Sequence, residues 1–221
     1  MNNSPDGRQS RRPWISFDEI ERTASDALHA ARLWPVPGVL RVDIETLLEV
    51  HLGVTVDYGV ELDRSTLGYT VFENPPHVVV NRELTDLAHA PSASLGLRGR
   101  WRATLAHEAA HILLHRGRYA AGQSSAAQTS TRGFQTDADG EDAGSSNWRE
   151  VQANLGMAAL LMPRQPFLAE ARRVLEADDP VFPPLSAEAD AAIGLIHELA
   201  EAFETSHQAT RFRLLTFGFL E

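Results

Sequence analysis

The stretch 101–115, WRATLAHEAAHILLH, decides how the rest of the chain is read. Leu105, Ala109, Ile112 and Leu113 recur at helical spacing and mark one apolar stripe, so residues 101–116 are expected to form a helix that stops near Gly117. On such a helix His107 and His111 lie about 40° apart around the axis and about 6 Å apart along it, close enough for both imidazoles to reach one ion. Glu108 is turned about 100° from His107, so it points beside that ion and need not bind it. Two neutral imidazoles and an adjacent carboxylate base are what a zinc hydrolase uses. A helix with one apolar stripe and two satisfied polar histidines would show the same letters.

The rest of the chain narrows the choice. A catalytic zinc site has a third protein ligand and an open fourth position. The 221 residues include no cysteine, so that ligand must be Asp, Glu or His. A histidine six positions after His111 would complete one known arrangement, but that position is Gly117. His115 lies about 12 Å from His107 along the helix, too far to share its ion, and is expected behind the ligands or at the surface. Asp137, Asp139, Glu141 and Asp142 are acidic but sit in a Gly-rich run, a poor platform for a fixed ligand. Glu150 is better placed, in the first turn of the next helix, although acidic residues are favoured there by the helix dipole alone. Asn154, one turn on, can then hydrogen-bond the second nitrogen of a ligand histidine.

The order of segments reads as α+β. Residues 17–33 carry Ile20, Ala24, Ala27, Leu28 and Ala31 on one helical face, with Ser16 and Glu19 as a capping box and Pro35 as a stop. A second helix is expected at 43–52, ended by Gly53. Three strand-like runs follow, at 54–58, 67–72 and 77–80, forming a small, mostly antiparallel three-stranded sheet. Residues 82–99 read as a connecting loop with some helix. Beyond the 101–116 helix, residues 117–147 are rich in Gly, Ser, Ala and Asp and are expected to be a flexible insertion. Further helices are expected at 148–162, 166–177, 186–204 and 206–214. The expected division is a loose tail at 1–13, a main domain at 14–180 and a C-terminal helical subdomain at 181–221 packed on it. Residues after Arg11-Arg12 turn acidic and no apolar run approaches a membrane span, which suggests a cytoplasmic protein.

With these residues in view, the chain resembles the ImmA/IrrE family of bacterial metallopeptidases. TLAHEAAHILLH is similar to that family's TxAHExxHxxLH helix. EVQANLGMAALLMP resembles its E-x-x-A-N…L-L-M-P helix at Glu150, Ala153, Asn154, Leu160, Leu161, Met162 and Pro163. FETSHQATRFRL resembles its F-x-V-S-x-x-A-x-x-x-R-L segment at Phe203, Ser206, Ala209, Arg213 and Leu214. The resemblance spans roughly residues 40–220. It implies a zincin-like fold of the gluzincin type, with His107, His111 and Glu150 as Zn2+ ligands and Glu108 as general base. Three departures stand out: Ala110 replaces the usual glycine before the second histidine, Gly156-Met157 replaces an aromatic-alanine pair, and Gln152 stands where a second glutamate is common.

The resemblance further implies a site-specific endopeptidase that cuts a helix-turn-helix transcriptional repressor and so releases stress, mobile-element or toxin–antitoxin genes. A zinc-binding regulatory module that binds or senses a partner without proteolysis is the alternative, and Glu108 speaks against it because binding has no use for that carboxylate. The formal charge of −10 disfavours direct nucleic-acid contact. The strand at 77–80 is expected to offer an edge to an extended substrate. Tyr119 and His115 are candidates to assist at the oxyanion.

Overall fold

In the first helix, α1 (Phe17–Ala30), the Ser16 hydroxyl accepts from the Glu19 N–H at 3.3 Å while Glu19 Oε2 accepts from the Ser16 N–H at 3.1 Å. The capping box expected from sequence is therefore formed, and α1 buries Ile20, Glu21, Ala24, Ala27 and Leu28. The computed structural model describes residues 14–119, 128–132, 147–176 and 184–221. The expected tail at 1–13 and most of the 117–147 insertion lie outside these.

After α1 the chain forms a short helix, α2 (Ile44–Thr46), that widens into a π-helical turn at Leu47–His51. Asp43 caps it through the Thr46 N–H at 3.1 Å. Three strands follow, β1 (Thr55–Val60), β2 (Thr66–Val71) and β3 (His77–Asn81), then α3 (Arg82–His89) and the long α4 (Leu95–Tyr119). The region expected to be a connecting loop is thus largely helical, and α4 starts six residues earlier than its apolar stripe suggests. The remaining elements are β4 (Gln128–Arg132), α5 (Asn147–Leu161), α6 (Arg164–Val174), α7 (Asp190–Phe203) and α8 (His207–Thr216).

The fold is α+β, as expected, and its sheet is mostly antiparallel. The strand order is β1-β3-β2-β4, with β1 parallel to β3 and the other two pairs antiparallel. The three expected strands are joined by β4, which pairs with β2 from Thr66↔Arg132 to Val71↔Gln128. β3 is therefore internal, and its Val78, Val79 and Val80 are all buried, as befits a strand covered on both faces. An edge for substrate at 77–80 is ruled out by β1 and β2 on its two sides.

α4 is the centre of the molecule. Besides Leu105, Ala106, Ala109, Ala110 and Ile112 it buries Arg102, Thr104, His107, Glu108, His111 and His115. So many buried polar groups on one helix each need a partner, and those partners build the site. Gly68 of β2 lets α4 lie against the sheet: a Cβ there would fall 2.9 Å from Thr104 Cγ2. On the other side α5 packs so closely that a Cβ on Gly156 would fall 2.7 Å from Ala110 Cβ. Two of the departures from the family pattern therefore face each other. The methyl gained at Ala110 is accommodated by the side chain missing at Gly156.

The far end of α5 is held by a buried ion pair. Arg213 of α8 donates to Glu21 of α1 at 2.5 and 3.0 Å and to the Met162 carbonyl at 3.0 and 2.8 Å. Removing one partner strands a charge, so Glu21→Ala is expected to cost about 3 kcal/mol. For a chain of this size that is a fall of roughly 6–12 °C in thermal midpoint. An unchanged midpoint would show that the pair does not brace the fold. At the other end, Arg102 donates to the Glu204 carbonyl at 3.0 Å and the Val42 carbonyl at 2.9 Å, tying the α7–α8 turn to α4. Among the described residues no helix is long and apolar enough to cross a membrane.

Candidate metal centre

α4 and α5 bring three donor groups together. His107 Nε2 lies 2.9 Å from His111 Nε2 and 3.2 Å from Glu150 Oε2, while Glu150 Oε1 lies 3.4 Å from His111 Nε2. All three residues offer ligand atoms within 4.8 Å of one another, and both histidines are buried. The edge of a tetrahedron around zinc, with ligands at about 2.0–2.1 Å, is about 3.3–3.4 Å. Separations of 2.9–3.4 Å therefore fit one small cation in the middle of the triangle.

The hydrogen bonds around the triangle agree with that fit. His107 Nδ1 lies 3.0 Å from Asn154 Oδ1, the contact expected for a ligand histidine's second nitrogen. An amide oxygen only accepts, so His107 carries its proton on Nδ1 and turns a lone pair from Nε2 into the triangle. Two imidazole lone pairs facing each other at 2.9 Å repel unless a cation or a proton lies between them.

Electrostatics point the same way. Burial pushes the Glu150 carboxyl up, but when a proton takes the place of an ion in the triangle, hydrogen bonds from His107 and His111 outweigh it and hold the pKa down at about 2. His107 shows the complementary balance: burial pulls it down, while the Glu150 hydrogen bond and the charges of Glu108 and Glu150 raise it overall. The triangle favours positive charge at its centre.

Glu108 stands beside the triangle, fully buried, with Oε2 accepting from the Thr70 hydroxyl of β2 at 2.6 Å. Thr70 pairs with Val78 and shares the α4-facing side of the sheet with Gly68. Sequence reasoning did not single out Thr70. Only the register of β2, invisible in the sequence, brings it to a residue 38 positions away.

His115 lies on the far side of the ligands from the triangle. Its Nδ1 is 3.1 Å from His111 Nδ1 and its Nε2 is 3.2 Å from Gln152 Oε1. That placement turns it away from an oxyanion beside the triangle and makes it a partner of His111. Gln152, noticed in the sequence only as a substituted glutamate, completes this row. The Tyr119 side chain and the acidic residues Asp137, Asp139, Glu141 and Asp142 lie outside the described residues.

No curated protein and no solved structure matches the chain. The family model described as the IrrE N-terminal-like domain, Peptidase_M78, matches residues 98–215. That span covers more than half of the chain and takes in His107, Glu108, His111, Glu150 and Asn154. The chain belongs to the Peptidase_M78 family of metal-dependent peptidases.

Proposed function

We propose that the protein is a zinc-dependent endopeptidase acting on a helix-turn-helix transcriptional repressor. The observation that carries the peptidase reading is Glu108, buried and clamped by Thr70 beside a three-donor triangle that it does not join. A module that only binds metal or a partner gains nothing from an oriented carboxylate there. The repressor as substrate rests on the resemblance to the ImmA/IrrE family.

Bound in the triangle, zinc would acidify water towards pKa ~7 and polarise the scissile carbonyl. Glu108 would take the proton from the attacking water and hand it to the leaving amine, so its carboxylate must hold one orientation through both transfers. The Thr70 hydroxyl provides that orientation by fixing one carboxylate oxygen. Glu150 and the two histidines would hold the ion, the histidines buried and Glu150 about one-third exposed on the side open to solvent.

Substrate would lie as an extended strand. β4 occupies the end of the sheet next to β2, and Thr129 pairs with Thr70, the residue on Glu108. A peptide added outside β4 would run about 4.8 Å beyond it, bound by main-chain hydrogen bonds with limited demands on sequence.

The test is incubation of zinc-loaded protein with purified helix-turn-helix repressors encoded near its own gene. One discrete cut, lost on chelation and restored by zinc, is the expected result. Zinc uptake without cleavage of any such repressor would favour the binding module.

A further inference from the structure

We propose that Gln152, acting through His115, fixes the tautomer of His111 so that its Nε2 turns a lone pair into the ligand triangle. The metal reading of the triangle underlies the purpose of this arrangement, while the arrangement itself is a matter of hydrogen-bond donors and acceptors.

His111 Nδ1 and His115 Nδ1 are 3.1 Å apart, so one carries the proton and the other accepts it. If His115 Nδ1 donated, neutral His111 would carry its proton on Nε2. That proton would point into the triangle, 2.9 Å from His107 Nε2, and would block it. If His111 Nδ1 donates, Nε2 is bare. The choice passes to His115, and there Gln152 makes it.

Gln152 Oε1 lies 3.2 Å from His115 Nε2 and can only accept. His115 therefore holds its proton on Nε2, leaves Nδ1 bare and accepts from His111 Nδ1. With the amide oxygen on His115, each step follows from the one before it. His111, His115 and Gln152 are each at most 1% exposed, so water does not offer a competing donor from bulk solvent.

Holding the amide in this orientation has a cost. Gln152 Nε2 is buried without a hydrogen-bond partner among the described residues. An unpaired buried donor costs about 1–3 kcal/mol, and turning the amide over would point that donor at His115 Nε2. It would also reverse every proton in the row. Only the orientation with the oxygen on His115 leaves His111 Nε2 bare, so the metal reading of the triangle selects it. Asn154 does the same for His107 in a single step, so α5 supplies one ligand and two side-chain oxygens that orient the other two.

Two readouts test the row, both on the full chain. Long-range 1H–15N spectra of the metal-free protein, taken across a pH series, report which nitrogen of each imidazole is protonated. Chelator competition reports the zinc dissociation constant. Wild type is expected to show His111 protonated on Nδ1 and His115 on Nε2. Gln152→Met, similar in shape but without the acceptor, is expected to mix the His111 tautomers and weaken zinc about 10–100-fold. Gln152→Glu, which can only accept, is expected to keep both tautomers and stay within about threefold of wild-type affinity.

A wild-type His111 protonated on Nε2 would overturn the proposal. So would a Gln152→Met protein with unchanged tautomers and affinity, or a Gln152→Glu protein weakened as much as Gln152→Met. If Gln152→Met does not fold, the wild-type spectrum and Gln152→Glu decide. Wild type with the expected tautomers but no zinc uptake would uphold the row and sink the metal reading of the triangle.

Discussion

Glu108→Gln is expected to slow peptide cleavage by about 10²–10⁴-fold, with zinc affinity and thermal midpoint close to wild type. The substitution keeps the volume of a fully buried side chain, so it neither opens a cavity nor crowds α4 against the sheet. The Thr70 hydroxyl still finds an acceptor, because the glutamine carbonyl can stand where Glu108 Oε2 stands now. What disappears is the ability to take a proton at neutral pH. The loss is therefore expected in kcat, with KM little changed, as for a group that acts in the transition state alone. Full cleavage by this variant would remove Glu108 from the chemistry and with it the main support for a peptidase. Loss of zinc together with activity would instead place Glu108 among the metal ligands, against its position beside the triangle.

Several parts of this arrangement are written locally in the sequence. Convergence of His107 and His111 follows from four-residue spacing on any helix, and the Glu150–Asn154 spacing puts both on one face of α5 in the same way. The capping box at Ser16 and Glu19 is equally local. Other parts depend on distant partners. β4 has the polar sequence QTSTR, with no apolar alternation to announce a strand, and is defined by its pairing with β2. The first turns of α4 contain Gly96 and Gly99, weak helix formers whose helical state owes more to packing than to propensity. Thr70 and Glu108 meet only through the register of the sheet on α4. Glu21 and Arg213 are 192 positions apart, beyond any window of local pattern.

The substitutions at Ala110 and Gly156 show the same division. Taken singly, a glycine in mid-helix costs about 1 kcal/mol against alanine. In the fold that cost is offset: the two helices that carry the three donor groups come within van der Waals reach at this crossing, which places Glu150 next to His107 and His111. The histidine row behind the ligands is likewise spread over two helices, so no single motif contains it.

Glu150→Ala is expected to reduce zinc from about one ion per chain to near none after dialysis. Zinc sites with four ligands bind with about 10–16 kcal/mol, so one ligand accounts for roughly 3–4 kcal/mol, or 10²–10³ in affinity. Glu150 also supplies a carboxylate that touches both histidines, at 3.2 and 3.4 Å. Its removal leaves two neutral imidazoles and no charge to balance a divalent ion. Glu150→Gln separates these contributions, since it retains an oxygen in reach and loses the charge. An affinity between those of Glu150→Ala and wild type is the expected result. Its side chain is about one-third exposed, so truncation should leave the thermal midpoint of the metal-free chain nearly unchanged. Undiminished zinc in Glu150→Ala would show that the triangle is completed from elsewhere. The acidic residues at 137–142 would then be the next to replace, because with no cysteine in the chain only another carboxylate or histidine can take the third position.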